Sequence, residues 1–346
     1  MIKDSHFKKV IHTSLIVMVS ILLAACDSVE GGSDFIGRGD SDDSTTGTLS
    51  IGIADGPVDD ALEVVLKVDK ITLKKAGSDD VVIDQFTSTD LGVTDAETVA
   101  VDLLLFQGGD QAMLVTEFEV AAGTYSNLIL TILDDDINNS YVLDVDGNSR
   151  VLNMFDRTME LGSFTVEKDL LNTLTLDFNL QMALVYDAAS NEYTLTSTGI
   201  RLQNNNTDRT ISGEVDSSLF DTVSPCDEKI NPTAGNRVYL YQGHDLDESN
   251  LADIFDSAKS TDAVPDEAIA PYAVAAVVDA GGEWEYNLAF LPAGEYTLVF
   301  SCAAEDDDPE NYDGLVLPLP VEQLIEISVE SGSFGCDLPI VDESCS

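Results

Sequence analysis

Apolar and polar residues alternate in pairs along most of the chain from Leu49 onward, and that period marks strands. "TLSIGIAD" sets Leu49, Ile51 and Ile53 to one side and is broken by Gly56-Pro57. "ALEVVLKVDKITLKK" places Leu62, Val64, Leu66 and Val68 on one face. "DVVIDQF" and "TVAVDLLLF" follow, with Gly108-Gly109 as a turn, and "AMLVTEFEV" leads into "AAGTYSNLILTIL". "SYVLDVDGNSRVL" reads as a hairpin turning at Asp146-Gly147. "LTLDFNLQMALVYD" and "EYTLTSTGIRL" complete this series. Short strands with frequent turn signals and no long amphipathic helix argue for a sandwich or barrel over 47–204, and a sandwich is the expectation taken forward.

The polar stretch "QNNNTDR" links it to a second series. "TISGEV" and "NRVYLYQG" are strands, and "YAVAAVVDAGGEWEYNLAFL" is a hairpin turning at Gly281-Gly282. "AGEYTLVFSCA" and "LIEISVE" finish a smaller sandwich over 208–346. Leu251, Ile254, Phe255 and Ala258 in "DESNLADIFDSAKS" fall at helical spacing, so one short helix is expected there. The predicted fold is all-β: two β-sandwich domains in series, Ig-like or transthyretin-like.

One motif occurs in both series. "EVAAGTYSNLIL" and "FLPAGEYTLVF" share Ala-Gly-x-Tyr before an apolar strand. Glycine allows the tight turn, and the tyrosine packs its ring while its hydroxyl returns to the backbone. Tyr125 and Tyr296 are therefore expected to form structural corners.

The start of the chain has a different pattern. Lys3, Lys8 and Lys9 precede a largely apolar run, Val10 to Ala25, that is short for a membrane span and closes on small residues. This is the form of a secretory signal peptide over 1–25. Leu23-Ala24-Ala25-Cys26 resembles the lipobox of bacterial lipoproteins, which implies lipid on Cys26 and a mature chain beginning there. Several acyl chains, at about 0.8 kcal/mol per buried methylene, make a firm anchor. Asp27 leaves the choice of inner or outer membrane open. Residues 26–46 are rich in Gly, Ser, Asp and Thr and read as a flexible acidic tether.

Charge narrows the partners. The formal net charge is −48, and loss of the net-positive first 25 residues leaves about −50. Such a surface repels nucleic acid and suits salty surroundings where counterions screen it. With 44% hydrophobic residues, the body is nonetheless a folded one. Four cysteines besides Cys26 fall in the last third: Cys226, Cys302, Cys336 and Cys345. In an exported segment they read as two disulfides. They lack the close spacing of a zinc site. An up-and-down strand order would pair Cys226 with Cys336 and Cys302 with Cys345; the local alternative is Cys226–Cys302 with Cys336–Cys345.

Two family resemblances follow from these segments. Gly47 to Pro57, the strand around Val64 to Ile71, "VDLLLF", "AAGTY", "LTLDF" and "GIRL" are together similar to the bacterial lipoproteins of domain of unknown function 4382. The resemblance covers most of 47–202 and implies an envelope lipoprotein; it brings no catalytic residues. "VVDAGGEWEYNLAFLPAGEYTLVF" resembles the transthyretin-like sandwiches of carboxypeptidase regulatory and bacterial surface proteins. The helix and cysteines depart from the simplest version of those, so no ligand site is implied.

Little in the sequence points to catalysis. His244 is the only histidine after residue 25, no Gly-x-Ser-x-Gly elbow or phosphate-binding loop is present, and Trp284 is the one tryptophan. Trp284 is expected to face the core, leaving little aromatic platform for a sugar cleft. Calcium is the sharper chemistry: "LDDDINNS" and "EDDDPENYDG" crowd oxygen ligands into loops, with Asp134, Asp135, Asp136, Asp306, Asp307 and Asp308 as candidates. "DVDGN" at Asp144 is better explained by its hairpin. The reading is a lipid-anchored cell-envelope protein working as a non-enzymatic binding or structural module, adhesin-like or an assembly partner. Its partners would be the membrane through Cys26 and an envelope protein or glycan. The alternatives are a calcium- or glycan-binding surface protein and, further off, a hydrolase with a loop-borne site.

Overall fold

The alternation seen in the sequence becomes a set of stacked sheets. The computed structural model describes residues 45–346 apart from 57, 59–60, 155–156, 206–208, 258–259, 306, 319–323, 331, 340–344 and 346. Cys26 and the signal and tether segments lie outside the described residues, as does Asp306.

The opening strand, Thr46–Gly56, is the middle of the first sandwich. It pairs in parallel with Leu171–Asn179 and antiparallel with Ala112–Ala121, and Ile200–Asn204 completes a four-stranded sheet. Leu49, Ile51 and Ile53 are fully buried, as their spacing predicts. The facing sheet is built on the long strand Ala61–Lys74, which pairs with Asn127–Ile132 and Tyr141–Asp144. Val64, Leu66 and Val68 enter the core, but Leu62 is 55% exposed. A register shift opposite Leu143 and Asp144 passes over Leu62 and turns it outward. Tyr141–Asp144 and Ser149–Met154 form the predicted hairpin. "LTLDFNLQMALVYD" is not one strand: the short helix Leu180–Ala183 interrupts it, and Leu184–Asp187 joins the other sheet.

The second sandwich has two four-stranded sheets. In one, Val278–Asp279, Trp284–Leu288, Arg209–Glu214 and Gly332–Gly335 lie in that order; in the other, Ala273–Ala276, Arg237–Gln242, Gly294–Ser301 and Ile325–Val329. Ile211, Tyr286 and Leu288 meet Val238, Leu240, Leu298 and Phe300 between them. Trp284 is half-buried against this core, edge-on to Phe220. The Arg237–Gln242 strand is buried on both faces. Val238 and Leu240 point into the sandwich, while Tyr239 and Tyr241 lie under loops that carry Leu251, Ile254, Leu315 and Leu317. Met182 of the first sandwich joins that outer layer. Residues 44–346 thus form one compact unit.

The two tyrosine corners have the same geometry. Tyr125 donates to the Ala121 carbonyl at 2.9 Å, and Tyr296 donates to the Pro292 carbonyl at 2.9 Å, each four residues back. The glycines differ: Gly123 has φ of 122°, where a side chain is strained, whereas any Cβ at Gly294 would press on the Tyr296 ring at 3.3 Å.

Two further expectations are corrected. Residues 247–257 are not an α-helix: they hold the 3-10 turn Glu248–Asn250, after which Leu251 bridges Ile269, and Ala258 lies outside the described residues. Tertiary contacts override the helical spacing here, because Leu251 and Ile254 must cover the tyrosine face and Asp253 must face inward. The short helices lie elsewhere, at Leu180–Ala183 and Ser218–Asp221. The two disulfides are present but follow the local pairing, Cys226–Cys302 and Cys336–Cys345. The sheet order explains it. Arg237–Gln242 and Gly294–Ser301 are antiparallel neighbours with Arg237 opposite Ser301, so the segment entering the first strand meets Cys302 leaving the second. An up-and-down order had put those ends at opposite poles.

Candidate functional site

The acidic loops named from the sequence separate in space. Arg157 takes up the first: its Nε is 3.0 Å from Asp134, and a second guanidinium nitrogen pairs with Asp135. Asp136 turns away to accept from the backbone and side-chain N–H of Asn138, which hold its pKa below the usual range. These three carboxylates therefore do not converge. Asp144 accepts from Asn148 and Arg150 within its hairpin. His244 contacts the Ile327 carbonyl at 3.2 Å through Nε2.

The second loop behaves otherwise. Asp308 caps its own turn, accepting from the Glu310 N–H and the Asn311 amide. Asp307 turns inward and meets Asp253 and Asp313, with one carboxylate oxygen from each all within 4.8 Å of one another. Asp253 is 3% exposed. Its Oδ2 accepts the backbone N–H groups of Asp313 and Gly314 at 2.9 and 3.0 Å, while its Oδ1 is buried with no hydrogen-bond partner. Asp307 Oδ1 is likewise buried and unpartnered, and its Oδ2 accepts from the Tyr239 hydroxyl at 3.3 Å. Burial first, then the charge of Asp313, pushes Asp307 up to about 7; the Tyr239 hydroxyl, the Ile254 N–H and Arg237 pull it back only in part. Asp313 is exposed at its surface, yet partial desolvation and then its hydrogen bond and charge contact with Asp253 push it up to about 7, with Asp308 and Asp262 adding to it. Three carboxyl groups at this distance without a full countercharge can share protons or coordinate a hard cation.

A second buried group lies at the seam of the sandwiches. Arg201 pairs with the buried Asp177, lies over the Tyr272 ring at 4.6 Å and donates to the Tyr272 carbonyl at 3.3 Å. Asp55 is 5% exposed nearby. The N–H groups of Leu180 and Gly56 favour its charged form slightly, but neither oxygen closes a hydrogen bond of ordinary geometry. Burial and then Asp177 push Asp55 well above the carboxylate range. Asn179 donates to the Val274 carbonyl and Asn287 to the Gly108 carbonyl, tying the sandwiches together across a cavity of about 30 Å³. Beside it opens a groove of about 640 Å³, lined by Gln107, Gly108 and the second sandwich's Glu214, Glu285, Tyr286 and Asp337. Glu283 above all holds Glu214 above its usual range.

Asp253, Asp55, Asp177 and Arg201 did not stand out in the sequence. Asp253 sits inside a helical-looking stretch, and its partners are a loop some 60 residues on. Arg201 lies within the quoted "GIRL", where one cation after a run of strands in so acidic a chain was the available signal.

Comparison with known proteins finds a family match over the first sandwich. Residues 46–197 match the family described as Domain of unknown function (DUF4382). No curated protein matches. Among solved structures, a leucine-rich repeat protein from Bacteroides thetaiotaomicron is similar at 10% identity and a TM-score of 0.23, covering 86% of this chain and 26% of that one. The TIE protein of Bacillus anthracis follows at 9% and 0.17, covering 85% and 33%. A candidate adhesin from Bacteroides ovatus gives 8% and 0.18, covering 92% and 100%. The chain therefore spans about a quarter and a third of the first two structures, and no assignment rests on scores this low.

Proposed function

We propose that this chain is an exported, lipid-anchored envelope protein of bacteria whose two sandwiches serve as a binding or structural module and not as an enzyme. The observation that carries the reading is the seam. Two separate cores are joined by Arg201 on Tyr272, Asn179 on Val274 and Asn287 on Gly108, and the joined body opens an acidic groove to solvent. A rigid, two-part body with an open groove is suited to presenting a surface. The family match in the first sandwich and the lipobox-like Cys26 support the envelope assignment, and two disulfides fit an oxidising compartment. Among the described residues no helix is long and apolar enough to cross a membrane. In this reading, lipid on Cys26 is the attachment. The second sandwich would be a transthyretin-like spacer. Its groove carries Glu214, Glu285 and Asp337 and suits a basic segment of an envelope protein, or a glycan, but not nucleic acid.

The test is capture of partners from envelope extracts with the mature chain, repeated with Glu214→Gln/Glu285→Gln. Retention of a protein or glycan that the double variant loses supports the reading. Failure of both chains to retain anything, or a hydrolytic activity that His244→Ala abolishes without unfolding, counts against it. Mass spectrometry of the native product decides the anchor, since an unmodified Cys26 removes it.

A further inference from the structure

We propose that Asp253, Asp307 and Asp313 hold a hard divalent cation, calcium in preference to magnesium, which ties the two covering loops of the second sandwich together. The proposal stands apart from the functional reading above. It rests first on geometry: three carboxylates from two loops bring oxygens within 4.8 Å of one another. A second observation points to a ligand. Asp253 is almost wholly buried, yet its Oδ1 has no partner, and neither has Asp307 Oδ1. A buried carboxylate oxygen without a donor is costly, and folding normally supplies one. Here the unpartnered oxygens belong to a cluster that also contains Asp313.

The surroundings suit an ion better than a missing side chain. Arg237 acts on Asp307 from one side, while Asp308 and Asp262 act on Asp313 from the other, so the site keeps an excess of negative charge. Asp253 is fixed by two backbone N–H groups and so cannot swing away. Three carboxylates, mono- or bidentate, supply much of the six to eight oxygens that calcium takes, and water or backbone carbonyls complete the shell. Magnesium demands stricter octahedral geometry and keeps its waters, which loops of this kind do not enforce.

An ion here has a clear structural effect. The 251–254 and 304–317 segments cover Tyr239, Tyr241 and Val299 on the outer face of the sheet. Phe255 also packs edge-on against Tyr312 across the two segments at 5.7 Å. Cross-linking them through the acid cluster would hold the tyrosine face shut.

The experiment is thermal unfolding of the full mature chain after chelation, then with calcium, magnesium or sodium chloride at equal ionic strength. At calcium about a hundred times its dissociation constant, the melting temperature should rise by roughly 5–10 °C. Magnesium should give well under half of that. Asp253→Asn and Asp307→Asn should lose most of the calcium-specific rise, and the distant, exposed Asp79→Asn should keep it. Equal shifts with calcium and magnesium, no shift at all, or an undiminished shift in Asp253→Asn would each overturn the proposal. Should both variants fail to fold, terbium reads the unaltered chain. Tyr239 is within 3.3 Å of Asp307, so terbium at the site should emit under tyrosine excitation and be displaced by calcium but not by magnesium. Absent emission, or emission that calcium leaves unchanged, also defeats it.

Discussion

At the seam between the sandwiches, Asp177 faces an arginine; under the loops of the second sandwich, Asp253, Asp307 and Asp313 face one another. Asp177 and Asp253 are withdrawn from water, which is expensive for an ionised carboxylate, and Asp307 is partly so, while Asp313 stays exposed. At the seam Arg201 meets part of the cost of Asp177 and is itself held by the ring and carbonyl of Tyr272, although burial still outweighs it and holds the Asp177 pKa up. In the loop group the carboxylates converge with only partial compensation from the Tyr239 hydroxyl, the Ile254 N–H and Arg237. The difference separates two uses of buried acid in one chain. The paired carboxylate, a cross-strand neighbour of Arg201 within the first sandwich, steadies the arginine that reaches Tyr272, and the loop cluster is where the proposed ion would sit.

The contrast is broken most directly at the seam. Arg201→Met leaves Asp177 without its partner and should destabilise the fold by about 3–5 kcal/mol, as should Asp177→Asn. The double variant should lose much less than the sum, which urea unfolding of the four chains measures. Full additivity would mean the pair does not define the seam.

Asp55 gives the next effect. Its folded pKa is raised, so the folded state holds its proton more tightly than the unfolded state. The stability due to that proton is present below the unfolded value of about 3.9 and is lost as pH rises from there through the raised folded value. Asp55→Asn should gain about 1–3 kcal/mol near neutrality and flatten the fall above pH 4. Urea midpoints across pH 4 to 8 check the slope, and an unchanged slope removes Asp55 from the account.

In chelator, Asp253→Asn should stabilise by roughly 1 kcal/mol, because it relieves repulsion in the loop group while keeping an acceptor for the two N–H groups. That sign is opposite to Asp177→Asn, and finding both variants destabilised alike would erase the contrast. The smallest effects should come from the tyrosine corners. Tyr125→Phe and Tyr296→Phe should each cost about 1 kcal/mol, equally in both sandwiches, and calorimetry of the two variants provides the common scale.

Much of this architecture was legible in the sequence. The period-two spacing of Leu49, Ile51 and Ile53 located the central strand, Asp146-Gly147 located a hairpin, and Ala-Gly-x-Tyr located both corners with their returning hydroxyls. What failed depended on contacts distant in the chain. Helical spacing at Leu251 and Ile254 is indistinguishable from two residues dropping onto a tyrosine-bearing sheet. The disulfide pairing turned on which strands were neighbours, a fact that Cys226 and Cys302 do not encode locally. Asp307 was one of six acids named as cation candidates, but its partners Asp253 and Asp313 were not among them, because acid is too abundant here for density to pick out convergence.

The placement of the opening strand matters for mechanics. Thr46–Gly56 is hydrogen-bonded along both edges, to Leu171–Asn179 and to Ala112–Ala121. A pull arriving at Thr45 would enter the middle of a sheet, not a free edge that peels one bond at a time. Extraction must rupture two ladders, and it also drags apolar Leu49, Ile51 and Ile53 into water. Were the chain held through the proposed lipid on Cys26, strain would enter at a strand paired on both sides.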